Sequence, residues 1–121
     1  MERGETTDRS CLFCRIAAGD QPATILHDDG EVLAFRDIAP RAPTHVLVIP
    51  RRHIPSALDL AEGDGPLLGQ IFAAAASIAR TEGIAERGFR IVANAGPWAG
   101  QSVPHLHFHL LGGRPMGWPP G

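Results

Sequence analysis

The most constraining feature of this sequence is the alternation of His105, His107 and His109 with apolar residues. In a β-strand, successive side chains point to opposite faces, so the three imidazoles would share one face and the apolar side chains the other. The pattern therefore predicts a strand over residues 105–111. Burying three imidazoles on one face without polar partners is costly, which favours a functional site over ordinary core packing.

Two kinds of chemistry fit three aligned histidines. They could bind a catalytic metal, although metal hydrolases of this type usually add a carboxylate, and none lies beside these histidines. Alternatively, one neutral imidazole attacks phosphorus while its neighbours hold its tautomer and stabilise charge on the phosphate oxygens. A nucleophilic imidazole must be unprotonated, and its ordinary pKa of about 6.5 suits a reaction at neutral pH.

The apolar spacing elsewhere predicts an α+β domain with a mostly antiparallel sheet. A short amphipathic helix is expected over residues 12–17, and a hairpin over residues 24–36, where an Asp-Gly pair separates two apolar runs. Further strands are expected at residues 45–49 and 89–95. The long helix should lie between Asp64, as its N-cap, and Gly83 at its end.

Length and composition limit the possible partners and location. A chain of 121 residues, 44% hydrophobic and 20% charged, can form one domain. Its net charge of -2 gives no electrostatic reason to expect a nucleic-acid polymer or an anionic membrane as partner. Residues 1–10 resemble a disordered leader without the apolar stretch of a secretory signal, and a cytoplasmic location is expected.

Cys11 and Cys14 form a Cys-x-x-Cys motif with three interpretations. A redox motif normally follows a strand in a βαβ unit, and no strand is predicted here. The two thiols could simply be buried. They could also be half of a structural zinc site whose other ligands would be histidines, because the chain has only two cysteines.

Several ordered blocks resemble the histidine-triad (HIT) family. The segment 105–111 matches its His-φ-His-φ-His-φ-φ signature, where φ is an apolar residue, and the segments 35–38, 43–50 and 100–103 resemble further family blocks. The tail 112–121, with Trp118, resembles the Hint branch of the family. The resemblance covers residues 11–121 and implies a single HIT-like domain that includes this tail.

The resemblance also implies roles at the reacting centre. His107 would be the nucleophile that accepts the nucleotidyl group. His109 and His45 would orient it and contact phosphate, and His105 would support them. Ser102 would bind phosphate and reach the leaving group.

A nucleotide pocket is implied by the same resemblance. Asp37 would accept hydrogen bonds from the ribose hydroxyls, although from the sequence alone it is equally a turn residue at a strand end. Arg36 departs from the family, which often has histidine or an apolar residue there. The other implied contacts with phosphate, ribose and base are Gly100, Gln101, Asn94, Leu12, Phe13, Ile16, Phe35 and Ile38.

Many bacterial members that resemble this chain have zinc ligands at positions that correspond to Cys11, Cys14, His53 and His105. Four protein ligands would make a structural site, and catalysis would need no cofactor. Proteins of the Hint branch, which this chain resembles, form symmetric dimers. Trp118 would otherwise be an exposed apolar group, which makes a homodimer the expected partner.

The implied activity is hydrolysis of purine nucleoside phosphoramidates, and of acyl-adenylates, to nucleoside monophosphates through a nucleotidyl-histidine intermediate. Three alternatives remain open at this point: a dinucleoside polyphosphate hydrolase of the Fhit type, a nucleotide- or protein-binding module with little turnover, and a metal-dependent hydrolase.

Overall fold

A five-stranded antiparallel sheet forms the centre of the structure, a computed structural model in which residues 8–121 are described. The strand order is β1-β2-β3-β5-β4. The strands are β1 (Ile25–Asp28), β2 (Val32–Arg36), β3 (Thr44–Pro50), β4 (Phe89–Val92) and β5 (Phe108–Gly112). Two α-helices, α1 (Leu12–Ala17) and α2 (Gly65–Thr81), confirm the predicted α+β fold with one long helix and one short N-terminal helix.

Both faces of the central strands are covered, which explains their nearly continuous apolar sequence. Alternate side chains of β2 and β3, such as Val32 and Val46, pack with helix α2 in the larger core. The residues between them, such as Leu33 and Leu47, pack with helix α1 in a smaller core that also contains both cysteines. Every residue of β3 is buried. The predicted strand 45–49 is confirmed and extends from Thr44 to Pro50.

Helix α2 confirms the predicted long helix with Asp64 at the N-cap position, but the expected side-chain cap is missing. The Asp64 side chain makes no capping hydrogen bond to the helix. A 3₁₀ turn, Glu62–Asp64, runs directly into α2, and the carboxylate instead accepts from the Ala61 N–H at 2.9 Å and from Arg52 Nη2 at 2.7 Å. Its position before the helix was predicted correctly, whereas its partners depend on a turn that the sequence did not reveal.

Strand β5 begins three residues later than predicted. Residues 105–107 precede it, because their backbone groups pair outside the ladder: the Leu106 N–H donates to the Ile54 carbonyl at 2.6 Å. The alternation nevertheless continues, since Leu106, Phe108 and Leu110 lie in the core under α2. Strand β4 is also shorter than predicted and ends at Val92 instead of residue 95.

The hairpin between β1 and β2 is confirmed. The Asp29 carboxylate accepts from the N–H groups of Glu31 and Val32, at 2.9 and 2.8 Å, and Gly30 has a φ of 90°. An αL-type φ at this position explains the Asp-Gly pair.

Most of the proposed leader, residues 1–10, lies outside the described residues. Residues 8–10 form a turn before α1, in which the Asp8 carbonyl accepts from the Cys11 N–H at 2.9 Å. Over residues 8–121, no helix combines the length and apolar character needed to cross a membrane.

Candidate active site

His107 lies immediately before β5 and is 4% exposed. Its Nδ1 lies 2.7 Å from the His105 carbonyl oxygen, an acceptor, so Nδ1 carries the proton. In the neutral ring, Nε2 then holds the free lone pair. The ring packs edge-on against Phe13, at 5.1 Å between centroids, and against His109 at 5.0 Å. The backbone and these two rings hold His107 in one orientation and one tautomer.

A second chain of hydrogen bonds fixes the two other histidines. The Arg41 backbone N–H donates to His45 Nδ1 at 3.0 Å, so His45 carries its proton on Nε2. That nitrogen lies 2.9 Å from His109 Nδ1, which must accept, and 3.4 Å from Asp37 Oδ2. His109 therefore carries its own proton on Nε2. The Arg41 backbone amide thus sets the tautomers of His45 and His109 in sequence.

Burial keeps both of these histidines uncharged at neutral pH. Burial, reinforced by the nearby His107 and His45 and opposed by Asp37, lowers the pKa of His109 to about 4. Burial also lowers the pKa of His45, opposed by Asp37 and reinforced by the Arg41 charge. The hydrogen bond between the two rings needs one donor nitrogen and one acceptor nitrogen, and two neutral rings provide them.

An apolar cleft opens beside His107 and contains most of the residues predicted to bind nucleotide. Asp37 and Ser102 are among its polar lining residues, and Ile38, 94% exposed, stands at its rim. The cleft is lined by Leu12, Phe13, Ile16, Gln21, Pro22, Ala23, Phe35, Arg36, Asp37, Ile38, Leu47, Ser102, Val103, His107 and His109. Gln21, Pro22, Ala23, Leu47 and Val103 were not predicted, because they carry no motif and reach the cleft only through the packing of α1 on the sheet.

A second cleft, the arginine cleft, meets the apolar cleft at His109. It contains His45 and Asn94, so Asn94 lies next to the histidines but in a different cleft from Asp37. Its lining is Arg41, His45, Arg90, Val92, Asn94, Ala99, His109, Leu111, Arg114, Met116, Gly117, Pro119 and Pro120. Sequence reasoning missed its three arginines, which are far apart in the chain.

Gly100 and Gln101 line neither of these clefts and are engaged within their own loop. Their backbone N–H groups donate to the carbonyls of Pro97 and Gly96, each at 3.1 Å. The Gln101 side chain accepts from the Gly96 N–H at 2.9 Å and donates to the carbonyls of Pro55 and Val103. These contacts fix the loop that carries Ser102.

Arg36 lies at the end of β2 and pairs with the end of α2. Its guanidinium donates two hydrogen bonds to the Glu82 carboxylate, at 3.0 and 2.9 Å. This bidentate pair accounts for the arginine next to Asp37 and ties the rim of the apolar cleft to the long helix.

The predicted metal ligands Cys11, Cys14, His53 and His105 come together beside the active site, with their ligand atoms within 4.8 Å of one another. Cys11 Sγ lies 3.3 Å from His105 Nδ1, and Cys14 Sγ lies 3.3 Å from His53 Nδ1 and 3.6 Å from His105 Nδ1. Ligands of one tetrahedral zinc ion are separated by about 3.3–3.8 Å, given its usual bond lengths. The four side chains can therefore hold a metal ion.

The surroundings of this cluster also suit a metal. His105 is fully buried, and its Nε2 donates to the Pro50 carbonyl at 2.8 Å, which leaves the Nδ1 lone pair facing the sulfurs. The Cys14 N–H donates to Cys11 Sγ at 3.4 Å. Burial raises the pKa of the Cys14 thiol, and a bound cation would reverse that preference by favouring the thiolate.

Asp37, His45 and His109 form a second group whose possible ligand atoms lie within 4.8 Å of one another. The His45 and His109 nitrogens, however, are 2.9 Å apart, closer than two ligands of one tetrahedral ion and typical of a hydrogen bond. The distance favours a shared proton over a metal at this position.

Comparison with known proteins shows which family this chain resembles. A HIT domain model matches residues 18–116. The chain is 46% identical over 106 residues to the purine nucleoside phosphoramidase of Escherichia coli, covering 88% of this chain and 89% of that protein. It is also 46% identical over 117 residues to adenylylsulfatase HINT1 of Arabidopsis thaliana, covering 95% of this chain and 79% of that protein. The crystal structure of a HIT family hydrolase from Legionella pneumophila superposes with a TM-score of 0.90 and 51% identity, over 92% of this chain and 99% of that one.

The chain therefore belongs to the HIT family and is a hydrolase of that family. The resemblance read from the histidine segment is confirmed, as are the HIT fold and enzymatic character.

Proposed function

We propose that this protein hydrolyses purine nucleoside phosphoramidates, and acyl-adenylates, to nucleoside monophosphates through a nucleotidyl intermediate on His107. The observation that carries the proposal is the 2.7 Å hydrogen bond from His107 Nδ1 to the His105 carbonyl, which leaves Nε2 as the nucleophilic nitrogen beside the apolar cleft. The name of the E. coli relative supports the choice of a P–N bond.

The reaction would proceed in two steps. His107 Nε2 attacks phosphorus, a P–N bond to the ring forms, and the P–N bond to the leaving amine breaks as that amine takes up a proton from solvent; with an acyl-adenylate, the P–O bond breaks and a carboxylate leaves. Water then attacks the same phosphorus and gives its proton to solvent, the bond to Nε2 breaks, and the nucleoside monophosphate leaves with the water oxygen. Each step develops charge on the phosphate oxygens, which the Nε2–H of His109 can stabilise.

The remaining site residues would bind the substrate around this centre. We assign the purine to the apolar side chains Leu12, Phe13, Ile16, Phe35 and Ile38, which suits binding by shape and stacking. Asp37 would hold the ribose hydroxyls, Ser102 a phosphate oxygen and the leaving group, and Asn94 the phosphate and ribose. The loop at Gly100 and Gln101 would act by holding Ser102, since its own amides are engaged within the loop.

The experiment that tests this function is turnover of a fluorogenic adenosine phosphoramidate by the native protein and by His107→Asn, each with and without EDTA. We expect turnover that EDTA does not inhibit promptly and that falls by about 10³ or more in the variant, as for loss of a nucleophile. Full turnover by His107→Asn would refute the mechanism. Turnover that stops at once with EDTA would instead favour a metal-dependent hydrolase.

Diadenosine polyphosphates and adenylylsulfate belong in the same assay. Both release a nucleoside monophosphate through the same kind of intermediate, and one similar relative is named an adenylylsulfatase. A diadenosine polyphosphate preferred over the phosphoramidate would favour the Fhit-type alternative. Nucleotide binding without turnover of any of these compounds would favour a binding module.

We also propose that Cys11, Cys14, His53 and His105 hold a structural zinc ion. The ligand separations and the mixed sulfur and nitrogen donors support zinc over harder cations. Thiolate ligands require a reducing compartment, which supports a cytoplasmic location. Metal analysis of protein purified without added zinc should give about one zinc per chain; well below one, with both thiols reduced, would refute the site.

A symmetric homodimer is the assembly that we propose. Trp118 is 82% exposed in the single chain, and Phe72 and Phe89 add further exposed apolar surface. Apolar groups of this size are seldom left uncovered, and we expect the tail to pack near the partner subunit's active site. A solution mass equal to one chain would contradict the dimer.

A further inference from the structure

Glu82 places a carboxylate at the end of the long helix, where its charge is unfavourable. It is the C-cap residue of α2, its backbone N–H donates to the Ile78 carbonyl at 2.8 Å, and Gly83 follows with a φ of 78°. The helix dipole repels a negative charge beside a helix C-terminus. The dipole therefore gives no reason for an acidic residue here, and the role of Glu82 lies with the residues that its side chain contacts.

The Glu82 side chain reaches the ends of two strands. Its carboxylate accepts from Arg36 Nη1 and Nη2, at 3.0 and 2.9 Å, at the end of β2. The side chain of Thr44, the first residue of β3, faces the same carboxylate. Hydrogen bonds from Arg36 lower the pKa of Glu82, burial opposes them, and the charge of Arg36 and the Thr44 side chain add to the lowering. Glu82 is therefore an anion at neutral pH.

The residues that follow Arg36 and Thr44 in the chain both belong to the candidate active site. Asp37 follows Arg36, and His45 follows Thr44. Successive side chains in extended backbone point to opposite sides, so Glu82 holds the neighbours of these two residues from the helix side of the sheet. The Asp37 N–H donates to the His45 carbonyl at 3.0 Å, and Asp37 Oδ2 lies 3.4 Å from His45 Nε2.

The connection between β2 and β3 is thus held at both of its ends by one carboxylate. Residues 37–43 form this connection and contain neither helix nor strand. Within it, Asp37 Oδ1 accepts from the Ala39 N–H at 2.8 Å. A contact that restrains both Arg36 and Thr44 limits the movement of the connection, and with it the direction in which the Asp37 carboxylate points.

We propose that Glu82, acting through Arg36 and Thr44, is a positioning residue for Asp37 and thereby sets a preference for ribonucleotides over 2′-deoxyribonucleotides. The inference rests on the proposed function, which places the ribose hydroxyls on Asp37. Glu82 itself touches no substrate. A hydrogen bond to the 2′-hydroxyl weakens steeply when its acceptor is displaced or turned, whereas apolar contacts with the purine have no such directionality. Loss of the Glu82 contacts therefore affects ribose recognition more than purine binding.

Two substrates that differ only at the 2′ position test this role: the fluorogenic phosphoramidates of adenosine and of 2′-deoxyadenosine. They share the base, the phosphorus and the leaving group, so the ratio of their kcat/KM values isolates the 2′-hydroxyl. We expect the native protein to prefer the adenosine compound by about tenfold or more, the range for a hydrogen bond to a charged group. Asp37→Ala should bring the ratio close to one and gives the value without the carboxylate.

Glu82→Gln, which keeps the size of the side chain, should lower the native ratio by about threefold, and Glu82→Ala by more. Arg36→Gln should act in the same direction, because it breaks the same pair. Circular dichroism and unfolding midpoints check that each variant folds.

The ion pair between Arg52 and Asp64 at the start of α2 offers a matched control. The side chains of Arg52 and Asp64 are 45% and 18% exposed, against 41% and 19% for Arg36 and Glu82. Asp64→Asn therefore weakens a pair of similar exposure on the same helix, but one that does not hold the connection between β2 and β3. It should keep the native ratio.

A native ratio well above one that both Glu82 variants leave unchanged would overturn the positioning role. Equal slowing of both substrates by these variants would also overturn it, because a merely structural contact leaves the ratio as it is. A native ratio near one, with both substrates turned over, would overturn this inference and the ribose role of Asp37 but not the proposed hydrolysis. No turnover of either substrate by the native protein would overturn the inference together with the proposed function.

Discussion

At the scale of single residues, the candidate active site is a set of fixed tautomers. The His105 carbonyl fixes the proton of His107, and the Arg41 amide fixes the protons of His45 and His109 in turn. The sequence could predict that these histidines meet, since alternation sets their common face. It could not predict their tautomers, because the backbone groups that fix them belong to segments that pair only in the folded chain.

The hydrogen-bonded pair of His45 and His109 leads to a first prediction. His45→Ala removes the donor to His109 Nδ1 and leaves the Arg41 amide without its acceptor. We expect kcat to fall by about tenfold to a hundredfold, the usual effect of misplaced groups, with a smaller change in KM. Steady-state kinetics check this, with His27→Ala in the β1–β2 hairpin as control. Unchanged kcat in His45→Ala would contradict a catalytic role for the hydrogen bond between His45 and His109.

The buried His109 predicts how stability depends on pH. Its pKa is about 4 in the folded chain, whereas an unfolded histidine titrates near 6.5. A lowered histidine pKa stabilises the fold fully above about pH 6.5, and that stability is lost as the pH falls towards 4. Allowing for partial exposure, the loss is on the order of 2 kcal/mol.

Urea unfolding at neutral and mildly acidic pH, for native protein and for His109→Gln, measures this term. The variant should lose less stability between the two pH values than the native protein does, and His27→Gln should behave like the native protein. Equal losses in the native protein and His109→Gln would mean that the folded His109 titrates normally.

At the scale of elements, the cysteine-histidine cluster ties helix α1 to the segment before β5. His105 belongs to both sites, since its ring faces the sulfurs and its carbonyl accepts from His107. The Cys-x-x-Cys spacing offered half of a zinc site as one interpretation, and only the family resemblance named His53 and His105 as the other ligands. The two cysteines are far from His53 and His105 in the chain, so no local sequence pattern indicates the whole cluster.

Removing the proposed metal should therefore affect stability first and activity second. Cys14→Ser, or prolonged chelation, is expected to lower the unfolding midpoint by about 5–10 °C, equivalent to roughly 1–2 kcal/mol in a chain of this size. Turnover should fall further than the loss of folded protein explains, because the His105 carbonyl shifts. Ser77→Ala on α2 is the control. An unchanged midpoint in Cys14→Ser would contradict a structural metal.

Strand β5 passes Ile84 too closely for any side chain at Gly112. A Cβ built at Gly112 would lie 2.5 Å from Ile84 Cδ1 and 2.9 Å from Ile84 Cβ. Gly112→Ala should destabilise the fold by about 1–3 kcal/mol, as overpacking does. Gly69→Ala in α2, where a Cβ meets nothing within 4 Å, should be neutral or stabilising. Equal unfolding free energies for the two variants would contradict this packing.

At the scale of the whole molecule, two helices cover opposite faces of one sheet, and the candidate catalytic histidines lie where two clefts meet. The sequence predicted the fold and most of the apolar cleft, because strand alternation and the family motifs can both be recognised in short segments of the chain. It did not predict the arginine cleft. Arg41, Arg90 and Arg114 share no spacing, and only the return of the tail along β4 and β5 brings them together.

The covalent step on His107 is the central claim, and rapid quenching under alkaline denaturing conditions tests it most directly. Native protein mixed with excess adenosine phosphoramidate and quenched within the first turnover is digested and analysed by mass spectrometry. We predict one adenylyl group on the peptide that contains His107, absent from His107→Asn. An adduct on another residue, or single-turnover release of nucleotide by His107→Asn at the native rate, would contradict the account.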